Sequence, residues 1–502
     1  MTSFAHKARS GISWNLLGAI VTNGLRIVVI TILGRALEAS EFGVVAAAVS
    51  VNALLFGFRD FGVNQALVQR KDLTRGHIAT AFALSIYLGA SLAVLLVMCA
   101  PLIARAFAIP EMRNVTLALA PLFVIGGLSS TSRMLVQREL QFRAAAIIDA
   151  ASFAAGALTS IIAALGGGGV WSMVLGYLVE ESTGAICYLS YRSPVISLRI
   201  ERDRLRELMT FGAGQTVSYV IGMAATYIDN VIVGRFLGAR VLGFYSRAYE
   251  LIRFPSTVFA SVVGGVLFAT VARNQDERGL IALGFRRGLF ATALVLIPGS
   301  ALLVIVAPEV LTILLGDGWS EAVLPMRIMA VTIFFRTSQK LAVAILTGTG
   351  RVNTVAAVYS AYLALAGGGA LIGVRWGAHG VAVSTAVALA SVSLLNVGLA
   401  MHLCALKLRV VLSAHGPGAL LGALVVAVAT PVAFGCRELA PAPVVVVSVT
   451  TVAALLASVA GVKLLPGGMR TDVTWLLGAL GRKRSTTRKT EGSVGGSELT
   501  RS

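Results

Sequence analysis

ILGRALEASEFGVVAAA (residues 32–48) decides the reading of this chain, because a second version of it, IVGRFLGARVLGFYSRA, occupies residues 232–248. A gapless shift of 200 residues superposes Ile32, Gly34, Arg35, Leu37, Ala39, Gly43 and Ala48 on Ile232, Gly234, Arg235, Leu237, Ala239, Gly243 and Ala248, seven identities in seventeen positions. Each copy follows one apolar stretch and opens another. The chain therefore reads as two similar halves, each beginning with a pair of membrane helices.

Working outward, apolar windows of about 20 residues recur along the whole chain, the length needed to cross roughly 30 Å of hydrocarbon as helix. Hydrophobic residues make up 57% of the 502 and charged residues only 13%, against about a quarter in an ordinary soluble domain. That much apolar sequence implies lipid. About fourteen spans are expected. They are residues 11–34, 42–66, 78–100, 114–132, 144–165 and 170–191, then 209–233, 241–270, 284–307, 322–345, 352–374 and 378–401, and finally 416–435 and 442–462. The first follows a short basic segment but is too apolar and too long for a cleaved signal peptide.

Charge tests this division independently. With both termini in the cytoplasm, about 30 of the 42 Lys and Arg fall inside, among them Arg70, Arg138, Arg192, Arg204, Arg336 and Lys340. The outer loops hold only Arg35, Arg105, Arg113, Arg235, Arg240, Arg375 and Arg437. The net charge of +19 thus follows from topology, and nucleic acid is not expected as a partner. Residues 1–208 and 209–402 form two six-helix bundles, 403–465 an extra helix pair, and 466–502 a basic, disordered cytoplasmic tail. Six helices per half put both repeats in one orientation, related by an axis along the membrane normal, with substrate between them. The fold class is all-α and polytopic, two bundles in a V with two further helices.

No metal site or disulfide framework is legible. The four cysteines lack any CxxC pair and the five histidines are dispersed. The glycine run LGGGGVW (165–171) is a tight turn, since no Lys or Ser/Thr follows in phosphate-loop spacing. Outer loops of about fifteen residues or fewer leave no room for the acceptor site of a polymerase or glycosyltransferase, so an enzyme is not expected.

Six stretches carry a family resemblance: ILGRALEASEFGVVA (32–46), RDFGVNQALVQRKD (59–72), VQRELQFRA (136–144), GVWSMVLGYL (169–178), IDNVIVGRFLGARVLGFYSRAYELIRFP (228–255) and LLGDGWSEAVLPMRIMA (314–330). In this order and spacing the chain resembles the multidrug/oligosaccharidyl-lipid/polysaccharide flippase superfamily, in particular its exporters of colanic-acid and lipopolysaccharide repeat units. The resemblance implies a bacterial inner-membrane protein whose central cavity is lined by spans 1, 2, 7 and 8. It also implies a polyprenyl-diphosphate-linked oligosaccharide as substrate, membrane lipid around it, and a polymerase and export machinery as partners. A lipid II flippase and a multidrug or cation antiporter of the same superfamily are the alternatives.

Ionisable groups inside a membrane are costly and mark function by default. Arg26, Arg59, Arg247 and Arg253 are the candidates for binding a diphosphate, which guanidinium groups grip with paired hydrogen bonds. Arg247 and Arg253 lie six residues apart, so one of them is expected to face substrate. Asp60, Asp229 and Glu250 are the candidate counter-charges. Asp229 matches position 29 in the repeat, about 4.5 Å along the helix from Arg26. An ion pair between Arg26 and Asp229 across the cavity is the expectation, either as a purely structural salt bridge or as a pair released by substrate so that Asp229 takes a coupling proton or sodium; no other cofactor is expected. Asp149, Glu180 and Glu181 are assigned to an interior polar network. Exchanging Asp229 for Asn is expected to abolish ion-dependent transport in reconstituted vesicles, and unchanged transport removes the coupling role.

Overall fold

The computed structural model describes Gly18, residues 22–59, 62–63, 67, 70, 72–273, 278–439 and 442–465, with side chains at 210–215 and 261–278 left aside. The tail from 466 onward and Asp60 lie outside the described residues. Every regular element among the described residues is helical. In chain order they are α1 (22–36), α2 (Ala39–Phe56), α3 (Arg75–Phe107), α4 (Met112–Leu119), α5 (Pro121–Arg138), α6 (Phe142–Leu165), α7 (Val170–Tyr191) and α8 (Arg202–Arg273). The rest are α9 (Arg278–Ile305), α10 (Ala307–Leu315), α11 (Val323–Ala330), α12 (Ile333–Gly348), α13 (Val352–Gly373), α14 (Gly377–Leu403), α15 (Leu408–Leu439) and α16 (Pro443–Leu464).

The chain is a multi-pass membrane protein. Among the described residues nine helices are long and apolar enough to cross a bilayer, ten if the bent pair Asp317–Ala330 and Ile333–Gly348 is one span. Fourteen were expected, and two of the nine each hold two expected spans. In α8 the break is Gly238, whose φ of 84° is left-handed and suits glycine. Asp229 and Tyr245 would stand about 24 Å apart on a straight helix, yet their side chains are hydrogen bonded at 2.8 Å. The chain therefore reverses at Gly238. The run 352–403 reverses likewise at Val374–Trp376, where a Cβ on Gly373 would meet the Gly380 carbonyl at 2.5 Å. The second expected span is shortened: α2 ends at Phe56, leaving Arg59 in the bend beyond it.

The repeated motif builds equivalent reversals in the two halves. In the first, Glu38 caps α2 through a capping box with Glu41, the Glu38 N–H donating to Glu41 Oε2 at 2.8 Å. In the second, Gly238 stands at the equivalent position, with a left-handed φ of 84° where Glu38 has −79°. The two reversals then pack on each other. A Cβ on Gly43 would run into the Ala239 carbonyl, and one on Gly243 would run into the Ala39 carbonyl. Each contact is the other shifted by 200 residues, so the halves meet about a local pseudo-two-fold axis, with glycine as the only side chain that fits.

Trp319 pins this contact. Its ring is 4% exposed and lies edge-on to Phe42 and Phe244, each at 5.5 Å between centroids, while Nε1–H donates to the Gly34 carbonyl at 3.0 Å. Arg35 donates to the Ile313 carbonyl at 2.7 Å. The largest apolar core runs through this region and draws on both halves, including Leu33, Phe42, Phe107, Ile232, Leu242 and Leu315. All these joints lie among residues that charge assigned to the sparsely basic face. Residues assigned to the basic face also meet one another. Arg138 donates to the Leu67 and Arg70 carbonyls, and Glu207, at the start of α8, accepts from His77 Nε2 at 2.9 Å and pairs with Arg70 at 2.5 Å. The His77 hydrogen bond holds the Glu207 carboxyl below its ordinary range.

Replacing Gly43 or Gly243 by valine is expected to weaken closure of this end. Overpacking typically costs about 1–3 kcal/mol, or roughly 5- to 150-fold in a conformational equilibrium. A cysteine pair at Ser40 and Arg240, which share one cleft, reports it: cross-linking by a short bifunctional reagent should fall severalfold in either valine variant and hold in the parent.

Candidate functional site

Below Leu33 and Phe42 the halves separate around two adjoining cavities that share Arg26, Ile30, Val49, Tyr177, Arg247 and Glu250. The compartment of about 370 Å³ is walled by α1, α2 and both limbs of α8, and exposes Arg26, Arg247 and Arg253 with Asn23, Asn230 and Tyr249. The other, about 310 Å³, lies against the first half and exposes Asn52, Phe56, Phe153, Ser160, Glu180 and Glu181. These volumes suit small-molecule sites, which run to about 300–1,000 Å³.

Each arginine is held by its own helix or a neighbour. The Arg26 guanidinium stands over the Phe153 ring at 5.3 Å and within electrostatic reach of Glu180. Arg247 stands over Phe42 at 4.9 Å and pairs with Glu250, one helical turn on, at 2.5 Å. Its Nε–H is buried with no hydrogen-bond partner. Arg253 lies over the Tyr249 ring at 5.8 Å. Arg247 and Arg253 both line the larger compartment, where only one was expected to face it. Six residues advance about 9 Å along a helix, and the cavity follows α8 for that distance.

Arg59 lines neither cavity. It stands over Phe56 at 5.0 Å and pairs with Glu181 at 3.6 Å, with Gly126 leaving the room this pair fills. Glu250 lines both compartments. Asp229 is placed elsewhere. It is 2% exposed, and its carboxylate accepts from the Tyr245 hydroxyl and the Asn230 N–H, each at 2.8 Å, with Thr385 next in line at 3.4 Å from the Tyr245 hydroxyl. The ion pair expected between Arg26 and Asp229 is replaced by this network, because the reversal at Gly238 delivers Tyr245 to Asp229 inside the second half. Arg336, counted by charge on the cytoplasmic side and lying within the expected span 322–345, sits within α12 with its guanidinium 4.7 Å from the Tyr249 ring centre.

The lining is thus mixed: three arginines face the cavities with three glutamates, Glu180, Glu181 and Glu250. Sequence reasoning assigned the first two of those acids to an interior network without locating it at the cavity. Their adjacency on α7 was the available signal, since two acids inside one apolar span demand water or counter-charge. Asp149 lines neither cavity and is exposed rather than interior, accepting from Tyr188 Oη at 2.9 Å and pairing with Arg133 at 3.4 Å.

A cavity with charged walls between two membrane-embedded halves is the arrangement found in carriers of polar or amphiphilic solutes. The chain belongs to the polysaccharide biosynthesis protein family, whose model matches residues 32–324. It is 27% identical over 441 residues to the teichuronic acid biosynthesis protein TuaB of Bacillus subtilis, covering 87% of this chain and 90% of that one. It is 23% identical over 337 residues to the lipopolysaccharide biosynthesis protein WzxC of Escherichia coli K12, covering 67% and 68%. Among solved structures, the lipid II flippase MurJ in an inward closed conformation shares the fold, with a TM-score of 0.71 over 88% of this chain and 97% of that one at 11% identity.

Replacing Tyr245 by Phe removes one donor from a fully enclosed acid. A buried acceptor that loses its partner costs about 1–3 kcal/mol. The Tyr245→Phe protein is therefore expected to unfold several degrees lower than the parent in a thermal-shift measurement in detergent, while Tyr227→Phe, at the cavity wall, leaves the midpoint in place.

Proposed function

We propose that this protein is a flippase that carries a polyprenyl-diphosphate-linked oligosaccharide from the cytoplasmic to the outer leaflet of a bacterial inner membrane. It acts as a transporter and not as an enzyme, with membrane lipid as its surroundings and a polysaccharide polymerase and export machinery as its downstream partners. Both termini lie in the cytoplasm on this reading. The observation that carries it is the convergence of Arg26, Arg247 and Arg253 on one cavity closed at its sparsely basic end. A diphosphate offers oxygens for several guanidinium groups at once, and the polyprenyl chain stays in the bilayer while the polar head occupies the cavity. Membership of a polysaccharide biosynthesis family supports the substrate class.

Within the cavity Glu250 pairs with Arg247, and Glu180 lies near Arg26. The diphosphate displaces these internal carboxylates, so arrival of substrate rearranges charge on both halves together. That rearrangement provides the differential interaction between states that any ligand-driven conformational change requires. The coupling ion, a proton or sodium, acts at Asp229 within the second half. Lipid II, another diphosphate-linked amphiphile, satisfies the same arginines. The three glutamates are the specific observation in favour of the second reading, an antiporter for organic cations.

Deleting the gene in its host and following radiolabelled undecaprenyl-linked oligosaccharide decides between them. The intermediate should accumulate on the cytoplasmic face and be cleared by the wild-type gene but not by Arg26→Ala. Normal polysaccharide export in a deletion strain without a second homologue overturns the proposal and advances the antiporter.

A further inference from the structure

The two compartments differ in chemistry. Arginines dominate the larger, whereas the smaller adds, to the shared Arg26, Arg247 and Glu250, two further carboxylates, an amide and aromatic rings. Asn52 is 3% exposed and lines the smaller compartment, yet its Oδ1 has no hydrogen-bond partner. A buried amide oxygen left unsatisfied beside an enclosed space is a place for a donor from a ligand. Glu180 and Glu181 face the same space and, as carboxylates, only accept. Phe56 and Phe153 also line this space. Acceptors set among rings match a ring that bears hydroxyl groups on its edge and C–H bonds on its faces. That is the chemistry of a sugar.

The shared boundary fixes which sugar. Arg26, Arg247 and Glu250 belong to both compartments, so a diphosphate on the arginines places its directly attached residue in the smaller space. Once the diphosphate has taken Arg26 and Arg247, their glutamate neighbours Glu180 and Glu250 face the ligand with that counter-charge removed. A further carboxylate brought there meets like charge in a partly desolvated site, the arrangement that proteins use to reject a wrong partner.

Resting on the flippase reading above, we propose that Asn52, Glu180 and Glu181 form a sugar subsite that accepts an uncharged, hydroxyl-rich residue next to the diphosphate and rejects a uronic acid there. The subsite selects only that first residue; sugars further along the chain extend beyond it.

The full-length protein in lipid nanodiscs, titrated with undecaprenyl diphosphate, undecaprenyl-diphosphate-glucose and undecaprenyl-diphosphate-glucuronic acid, tests this. The glucose probe should bind at least about tenfold more tightly than the glucuronic acid probe, and Glu180→Gln with Glu181→Gln should bring the ratio below about threefold. Asn52→Leu, a change of similar volume, should weaken the glucose probe while leaving bare undecaprenyl diphosphate unaffected. A wild-type ratio near one overturns the subsite without any variant. So does a ratio the glutamine changes leave intact, or an Asn52→Leu loss equal for all three probes. Failure of bare undecaprenyl diphosphate to bind the wild type overturns the flippase reading itself, and the subsite with it.

Discussion

The contact on which the rest of the architecture depends is the reciprocal packing of Gly43 on the Ala39-equivalent carbonyl of Ala239, and of Gly243 on Ala39. Two helical reversals approach until backbone touches backbone, which only residues without a Cβ permit. Because membrane helices gain nothing from leaving lipid for one another, such close approach of small residues is how they associate. Trp319 then fills the angle between Phe42 and Phe244. With the halves joined at this end, the space between them lies toward the other, and the charged side chains of α1, α7 and α8 face it.

That geometry answers the cost of placing charge in a membrane. Every arginine at the cavity has a ring beneath it, and Arg247 also has an internal carboxylate. These interactions make the charged cavity tolerable in a low-dielectric setting, where an isolated ion is expensive. On the proposed flippase reading they also keep the arginines available, since an incoming diphosphate exchanges one set of counter-charges for another. Asp229 obeys the same constraint by a different route, taking hydrogen bonds from Tyr245 and the Asn230 backbone deep in the second half.

Paired arginines and glutamates distinguish this cavity from a uniformly basic funnel. A funnel of one sign would attract any anion; a mixed lining requires the ligand to compete with the protein's own acids. Selectivity then rests on how many arginines a ligand engages at once and on whether its neighbouring groups tolerate the freed carboxylates.

The sequence by itself determined the class of fold. Apolar windows of membrane-crossing length, a charge bias between alternate loops and a 200-residue repeat are local or periodic properties, and they survive without knowledge of any contact. It also marked Arg26, Arg247, Arg253 and Glu250, because charge inside an apolar span stands out wherever it points. Tertiary structure decided direction and partnership. Arg59 and Asp229 looked equivalent to the others along the chain, but the end of α2 at Phe56 turned Arg59 to Glu181, and the reversal at Gly238 gave Asp229 to Tyr245. Glu180 and Glu181 reached the cavity wall only through the packing of α7 against α6, where Gly156 makes room for the Glu180 side chain. A helix shows its charges in sequence, but which face meets water, lipid or another helix depends on neighbours that only the folded chain brings beside it.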